Sequence, residues 1–244
     1  MLPRTSLVAL CLSAFLCSCA ISIERPDSPL SGLGLATDQG KPPREIDDKT
    51  IADAFAKKEQ LQWPARLAVA RLGSTKRASW QANNRLTNVP TSEQALIDVR
   101  FPKGPQWSNL VHLSPMLGLD RETNLAMLRL EAARTHADLL LVYGISTEEA
   151  SAPNPLAILN LLILPAFVLP GSNLETLCVG GMALVDVRNG YVYALTGQDE
   201  RKTCSAPSAA KRGSFEDLYA EATSGVVGRM LDNVARQIPS RPIQ

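Results

Sequence analysis

The sequence predicts an α/β protein, a three-layer α/β/α sandwich with a mixed sheet, and two observations support this fold class. Apolar residues at helical spacing over 121–135 give an amphipathic helix, which ends at Ala137 and Asp138. The next run, 139–145, is apolar on both strand faces, as in a central strand covered on both sides. A helix followed by a buried strand indicates a layered core.

Two further helices are predicted, one near each end of the domain. The first covers 48–60 and has an apolar stripe at helical spacing that includes Phe55. The last covers 214–237 and contains Gly225 and Gly228. Glycine weakens a helix, so these two positions predict close packing of the helix against the sheet.

The remaining segments predict strands. Residues 66–72 alternate and form one strand, whereas residues 95–101 fit either a half-buried strand or the edge of a short helix. Residues 177–187 and 191–195 are strand-like and flank Asn-Gly at 189–190. Asn-Gly is the preferred two-residue hairpin turn, so these two strands are expected to form a hairpin with that pair at its centre.

The hairpin register makes a prediction about the two cysteines outside the N-terminal segment. A two-residue turn places Cys178 opposite Arg201, and Cys204 comes only three residues later. A disulfide between Cys178 and Cys204 is therefore expected in an oxidising compartment. Two free buried thiols are the alternative.

The first twenty residues have the pattern of a secretory signal. Arg4 supplies a positive charge, residues 7–16 form an apolar run, and Leu16-Cys17-Ser18-Cys19 follows. The run is shorter than the roughly 20 residues that a membrane-spanning helix needs. Removal of this segment is therefore expected.

The four residues that end the signal resemble the lipobox of bacterial lipoproteins. That motif has leucine three residues before the modified cysteine and a small residue directly before it, and Cys19 fits both positions. The resemblance implies cleavage before Cys19, lipidation of Cys19 and attachment to a lipid bilayer. An ordinary signal peptide cut after Ala20 is the alternative. Ala20 also lacks the aspartate that marks inner-membrane retention in that family, which implies an outer-membrane lipoprotein facing the periplasm.

The predicted organisation is a signal peptide over 1–18, a lipidated N-terminus and flexible tether over 19–46, and one globular periplasmic domain over 47–240. The tether is inferred from its Pro, Gly, Ser and Asp content. Without Arg4 the mature chain has 25 − 1 = 24 basic side chains against 24 acidic ones. This balance gives no indication of a nucleic-acid partner.

Two strand motifs carry a resemblance to known lipoprotein families. They are the helix and strand around 137–144 and the strand 184–190, followed by a C-terminal helix. This order is similar to the periplasmic domain of the curli-secretion-pore and penicillin-binding-protein-activator lipoproteins. A closer resemblance, over about 60–200, is to the rhombotarget lipoproteins, which share an apolar segment ending in Pro-Gly. Both resemblances imply an α/β/α sandwich on an outer-membrane lipid anchor.

The uncharged segment 155–171 is the most unusual part of the sequence. It is too short and too often broken by proline to span a membrane as a helix. It is expected either to be buried over one face of the sheet or to contact a membrane or a protein partner. The residues proposed for such a contact are Leu156, Ile158, Leu159, Leu162, Ile163, Phe167 and Val168.

The sequence contains few candidates for catalysis. The only histidines are His112, expected to be a hydrogen-bonded structural residue, and His136, expected to cap a helix C-terminus. The carboxylate pairs at 148–149 and 199–200 are expected to be solvated loop charges. No established catalytic or metal-binding motif occurs, so neither a catalytic residue, a metal nor a cofactor is predicted. The predicted function is a non-catalytic role in envelope assembly, secretion or surface attachment, with a protein partner or a second copy of the chain. A small-ligand-binding protein or a hydrolase with a site assembled from distant residues is the alternative.

Overall fold

The computed structural model describes residues 23, 25–26, 30, 33, 48–73, 85–115, 123–153, 172–207 and 210–238. The helices are α1 (Asp48–Ala56), α2 (Thr91–Arg100), α3 (Leu125–Arg134) and α4 (Lys211–Gln237). The strands are β1 (Ala65–Gly73), β2 (Arg85–Thr87), β3 (Trp107–His112), β4 (Leu139–Pro153), β5 (Ser172–Asp186) and β6 (Val192–Ala206). None of the described helices is both long and apolar enough to cross a membrane.

The six strands form one mixed sheet, which confirms the predicted fold class. The order is β2-β1-β4-β5-β6, and β3 also pairs with β1. β1 is parallel to β4 on one side. On its other side, β1 is parallel to β3 along its first half and antiparallel to β2 along its second half.

The chain forms two compact units, and β4, β5, β6 and α4 each contribute residues to both. The described residues within 25–147, 178–200 and 223–244 belong to the larger unit. Those within 1–24, 148–177 and 201–222 belong to the smaller unit. The predicted boundaries of the signal peptide, tether and single domain stay predictions.

Helices cover both faces of the sheet in the larger unit. One face packs on α3, whose Leu128 and Ala132 share a core cluster with Leu140 of β4. The opposite face carries Gly180, where an added Cβ would lie 2.5 Å from Val226 and 2.8 Å from Met230 of α4. α2 is joined to the same sheet through Glu93, which binds Arg71 of β1 and Tyr143 of β4. These contacts account for the three layers.

Two residues of the predicted tether belong to the core of the larger unit. Leu30 is 1% exposed and Leu33 is 8% exposed, and both join the α3-facing cluster. The Leu33 N–H donates to the Leu30 oxygen at 3.1 Å, which forms a short turn. Composition alone did not indicate this packing, because the surrounding residues are mostly polar, proline or glycine.

In the smaller unit, the start of β5 and the end of β6 pack on the first half of α4. Leu174, Ala206 and Leu218 form its buried cluster, with Cys204 and Phe215 packed against it. Ion pairs join its charged side chains. Arg201 Nη1 lies 3.0 Å from Glu175 Oε1, and Lys202 Nζ lies 2.6 Å from Glu221 Oε1.

Residues 95–100, for which the sequence allowed either a strand or the edge of a short helix, belong to the helix α2. Its buried positions are Glu93 and Ile97, and the buried C-cap residue Phe101 continues this four-residue spacing. This spacing places all three side chains on one helix face. The apparent alternation in the sequence arose because Val99, at 81% exposure, is an apolar residue on the solvent side.

The hairpin turn is longer than predicted. The Asp186 N–H donates to the Tyr191 oxygen at 2.8 Å, and the Gly190 N–H donates to the Asp186 oxygen at 3.0 Å, so the loop contains the four residues 187–190. Within the turn 187–190, only Gly190 has a positive φ, 72°, whereas the predicted two-residue turn needs positive φ at both central residues. The Asp186 carboxylate accepts the Arg188 N–H at 2.8 Å and stabilises the longer loop.

The start and end of α3 have well-defined caps. The Asn124 side chain accepts the Met127 N–H at 2.9 Å, so the helix begins at Leu125 rather than at residue 121. At the other end, the His136 N–H donates to Ala133 O and the Ala137 N–H donates to Ala132 O, which is a Schellman motif. His136 has a φ of 56°, a conformation usually taken by glycine at this position.

This cap predicts that His136→Gly stabilises the protein. Glycine adopts the left-handed conformation without the steric cost that other residues bear, so the free energy of unfolding should rise by about 0.5–1 kcal/mol. Denaturant titration of the chain expressed without its signal sequence measures this change. His136→Val is the control and should lower the stability, because a β-branched side chain is poorly tolerated there. A glycine variant no more stable than the parent would contradict the prediction.

Candidate functional site

The most deeply buried ion pair in the larger unit joins α2 to the central strands. Glu93 is 2% exposed. Its carboxylate accepts two hydrogen bonds from Arg71, at 2.8 Å from Nε and 3.0 Å from Nη2. Such a bidentate pair fixes geometry as well as charge. Thr87 of β2 accepts a third bond from Arg71 Nη1 at 3.2 Å.

Tyr143 of β4 completes this network. Its hydroxyl donates to Glu93 Oε2 at 2.6 Å, and its side chain is fully buried. Burial, and next the charge of Glu93, raise the pKa of Tyr143 far above its ordinary value. The hydroxyl therefore stays protonated and acts as a hydrogen-bond donor. The network joins four elements, α2, β1, β2 and β4.

A groove lies beside β3, between that strand and the end of α2. We call it the β3 groove, and its volume is about 330 Å³. Trp107 and Phe101 form its floor, with ring centroids 4.9 Å apart in an edge-to-face arrangement. The ring centroid of Trp63 lies 5.3 Å from that of Trp107, also in an edge-to-face arrangement. The complete lining is Asp98, Phe101, Lys103, Trp107, Asn109, Leu110 and His112.

His112 is one of the titratable side chains that line the β3 groove. Its Nδ1 is buried and has no hydrogen-bond partner within the described part of the chain. The expectation of a fully hydrogen-bonded structural histidine is therefore wrong for this atom. Burial lowers the pKa of His112, and the charge of Asp98 opposes that effect. Because the ordinary value is already below 7, the imidazole is uncharged at neutral pH.

The chemistry available in the β3 groove is recognition by apolar contact and hydrogen bonds. Asp98, Lys103 and Asn109 are exposed around nearly buried aromatic rings. Such a mixture of an apolar floor and a few polar groups is typical of binding sites. The lining contains no serine, threonine or cysteine that could act as a nucleophile. Among the described residues, no three His, Cys, Asp or Glu side chains come together to hold a metal ion.

The predicted disulfide is not supported, because Cys178 and Cys204 are both free thiols. The four-residue turn shifts the hairpin register by two residues, so counting back from Asp186 opposite Tyr191 places Cys178 opposite Asp199. Cys204 is five residues beyond Asp199, too far for the Cα separation of roughly 5.5–6 Å that a disulfide needs. Of the two open alternatives, the structure therefore favours free thiols.

Burial raises the pKa of the Cys178 thiol to about 11, and hydrogen bonding to Thr223 opposes this only in part. Burial also raises the pKa of Cys204. A thiol reacts as its thiolate, so both side chains are poor nucleophiles at neutral pH. They act as packing residues on the face of the sheet that α4 covers.

Glu200 belongs to the interior and not to a loop. The carboxylate pairs at 148–149 and 199–200 were expected to be solvated loop charges, but both lie within strands, β4 and β6. The Glu200 side chain is only 16% exposed, and its Oε2 lies 2.9 Å from Arg229 Nη2 of α4. Gly225 makes this possible, because a Cβ there would lie 2.1 Å from Glu200 Oε2.

Several predicted site residues lie outside the described part of the chain. These are Cys19 and the proposed contact residues Leu156, Ile158, Leu159, Leu162, Ile163, Phe167 and Val168. The structure places His136 in the helix cap described above, as the sequence suggested for a residue at a helix C-terminus. The β3 groove was missed, because its lining residues come from both α2 and β3 and from the segment between them.

Comparison with protein-family models finds no match, and comparison with curated protein sequences finds none either. Comparison with solved structures finds similar chains. A PelC dodecamer from Paraburkholderia phytofirmans matches at 14% identity and a TM-score of 0.30, over 74% of this chain and 92% of that chain. A lipoprotein from Neisseria meningitidis matches at 12% identity and a TM-score of 0.33, over 66% and 99% of the two chains.

A third match is a putative neuraminyllactose-binding hemagglutinin homolog from Helicobacter pylori. It has 6% identity and a TM-score of 0.36, over 76% of this chain and 89% of that chain. All three TM-scores are low, so these similarities assign neither a family nor an activity to the chain. The functional argument therefore depends on the residues of the chain itself.

The packing at Glu200 predicts that alanine at the two glycines of α4 changes the free energy of unfolding by different amounts. Gly228→Ala should raise the free energy of unfolding by about 1 kcal/mol, because alanine favours a helix and a Cβ there meets nothing within 4 Å. Gly225→Ala should gain much less, because the new Cβ displaces Glu200 from Arg229. Denaturant titration measures both changes.

Glu200→Ala provides the control background for this comparison. With the carboxylate removed, Gly225→Ala should gain as much as Gly228→Ala. Equal gains at the two positions in the unaltered background would show that Glu200 does not restrict Gly225.

Proposed function

We propose that this chain is a membrane-anchored periplasmic lipoprotein that acts without catalysis in envelope assembly, secretion or surface attachment. The observation that carries the proposal is Leu16-Cys17-Ser18-Cys19 at the end of an apolar, positively led segment. Acylation of Cys19 attaches the chain to the bilayer, and several acyl chains give stable attachment. Ala20 in place of aspartate favours the outer membrane, with the domain facing the periplasm.

The partners of the buried charges support a structural role for them. The buried acidic residues of the described chain are Glu93, Glu131, Glu175 and Asp186. Glu93 binds Arg71, Glu131 binds Arg134 and Glu175 binds Arg201. Asp186 accepts hydrogen bonds from the hairpin turn. Each carboxylate is thus engaged in the fold, whereas a catalytic carboxylate must be able to reach a substrate.

The contact with a partner is assigned to segment 155–171, which joins β4 to β5. Its seven proposed contact residues, Leu156, Ile158, Leu159, Leu162, Ile163, Phe167 and Val168, form an uncharged sequence of a kind found at protein or membrane interfaces. The partner is another envelope protein or a second copy of the chain.

The β3 groove favours a second candidate function, a small-ligand-binding protein. Its aromatic floor and its neutral His112 beside Asp98 are the convergent groups that such a site needs. The non-catalytic anchoring role is preferred because the groove lining has no serine, threonine or cysteine and its two aromatic rings are almost completely buried.

Acylation is tested at Cys19 with Cys17 as the matched control. We expect the membrane-extracted protein to begin at an acylated Cys19 and to fractionate with the outer membrane. Cys19→Ser should abolish both the acyl mass and the membrane attachment, whereas Cys17→Ser should change neither. Intact mass spectrometry and membrane fractionation measure these outcomes. An unmodified chain beginning at Ile21 would make this a soluble protein and remove the proposal.

The contact segment is tested by exchanging its seven apolar contact residues for serine. We expect loss of the oligomer or partner complex, because the apolar surface that drives association is removed. Cross-linking in cells and native mass spectrometry measure the complexes. The control exchanges Val99 and Leu130, which are 81% and 54% exposed, for serine and should leave them intact. If the complexes still form after the seven residues are exchanged, the assignment is wrong and the ligand-binding alternative is favoured.

A further inference from the structure

β3 forms an open edge of the sheet beside the β3 groove. Among the described strands, β1 is its only partner strand, and β1 occupies one of its two edges. We propose that the open edge of β3 binds an extended polypeptide segment of a partner protein, which adds a strand to the sheet and places a side chain in the β3 groove. This contact site goes beyond the proposed role of segment 155–171 and depends neither on that segment nor on acylation of Cys19.

The register of β3 shows which of its backbone groups face away from β1. Val69 lies opposite His112, and the Val69 oxygen accepts the Leu113 N–H at 2.8 Å. In a parallel ladder a residue bonds to the neighbours of the residue opposite it, so the N–H and C=O of His112 point outward. Those of Leu110 also point outward, because Leu67 lies opposite it in the same register. The edge therefore presents two N–H and two C=O groups at a repeat of about 6.6 Å.

The rest of this edge is closed at its start and unprotected beyond it. Lys103 forms a parallel bridge with Trp107, and the Gly104 N–H donates to the Trp107 oxygen at 2.8 Å. The strand from Trp107 to His112 contains no lysine, arginine, aspartate, glutamate or proline. Charged residues and proline are common protection against pairing with another chain. The edge at Leu110 and His112 is therefore suited to such pairing.

The side chains of Leu110 and His112 line the β3 groove, whereas that of Val111, between them, does not. Side chains alternate along a strand, so every second side chain of an added strand points to the same face as Leu110 and His112. The groove has a volume of about 330 Å³ and a floor of two aromatic rings, those of Phe101 and Trp107. This volume is small for a ligand pocket, and it suits an apolar side chain of the bound segment.

A polypeptide is the class of ligand that matches both the edge and the groove. An extended backbone carries N–H and C=O groups at the same repeat as the outward groups of β3. Addition of a strand to a sheet edge uses these main-chain bonds for affinity and side-chain pockets for specificity. A small ligand held only by side chains of the groove would leave the outward groups of Leu110 and His112 unused.

Two opposite charges fix the direction of the bound segment. Lys103 lies beside Trp107, at the start of β3. Burial lowers the pKa of His112 and the charge of Asp98 opposes this effect, so that carboxylate lies near the end of β3. Both charged side chains line the groove and are exposed. We therefore expect an acidic residue of the segment near Lys103 and a basic one near Asp98, about five residues apart.

The class of ligand is tested with peptides of about twelve random residues, displayed on phage and selected on the full chain in detergent. We expect enrichment of sequences that have an acidic and a basic residue on opposite sides of an apolar one. Synthetic copies of the enriched peptides are then titrated against the protein. Asp98→Lys combined with Lys103→Glu should weaken their binding about tenfold, and exchange of the two charges in the peptide should restore it.

Methylation of peptide nitrogens tests the main-chain bonds. Alternate amides of an extended peptide face opposite edges, so methylation of the set that faces β3 should weaken binding about tenfold or more. Methylation of the intervening amides should change the affinity little. Equal effects of the two methylation patterns, or no enriched peptide at all, would overturn the inference.

The same bonds are tested from the protein side at Leu110. Leu110→Pro removes an N–H that faces away from β1, so the ladder to β1 keeps its bonds. Leu110→Ala is the matched control, because it also loses the side chain but retains the N–H. We expect the proline variant to bind the peptides about tenfold more weakly than the alanine variant. Circular dichroism and denaturant titration report whether each variant is folded, and the methylated peptides decide the question if the proline variant is not.

Equal binding by the folded proline and alanine variants would show that side chains alone hold the peptide, and would overturn the inference. The proposed anchoring role is unaffected by that result, because the peptide titrations require neither an acyl group nor segment 155–171. Conversely, an unmodified Cys19 would remove the proposed anchoring role and leave peptide binding at β3 intact.

Discussion

Burial of both faces of β1 and β4 is the constraint on which the rest of the larger unit depends. β1 has hydrogen-bonded neighbours on both edges and a continuous run of buried residues, and β4 is fully buried from Leu139 to Ile145. Backbone groups so far from water must be paired within the sheet, and both faces must be covered by helices. α3 covers one face, and α2 with the second half of α4 covers the other. Small residues such as Ala68 and Gly180 allow this close approach.

The same burial decides where charge can be tolerated. Arg71 lies on β1 with its side chain only 12% exposed, and it is accommodated because Glu93 supplies a bidentate carboxylate. A buried charge without a partner is strongly destabilising, whereas a paired and hydrogen-bonded one fixes the arrangement of its neighbours. Glu200 and Arg229 repeat the solution where β6 meets α4. These pairs join helices to strands, so they specify how the helices pack on the sheet.

The sequence predicted the parts of the fold that have strong periodicity. The runs 139–145 and 121–135 gave a central strand and a helix, because their apolar residues face a core on two sides and on one side respectively. α2 and the hairpin turn could not be determined in the same way. Val99 is exposed although it is apolar, so the segment around it showed the alternation that is typical of a strand. The length of the turn depends on the Asp186 carboxylate, which the rule for Asn-Gly pairs does not include. The same two-residue error in register made the predicted disulfide between Cys178 and Cys204 wrong. The β3 groove depends on Phe101 meeting Trp107, a contact that no local pattern contains.

The packing of Leu30 changes what an anchored domain can do. A long free tether would let the domain search a large volume of the periplasm, and the effective concentration of a partner at the membrane would fall as tether length increases. Under the proposed acylation of Cys19, a domain whose core includes a residue only eleven positions later would be confined to a thin layer above the lipid. Within that layer, a partner attached to the same membrane is met at high effective concentration. Under the same proposal, even a modest contact surface would be sufficient for a stable complex with such a partner.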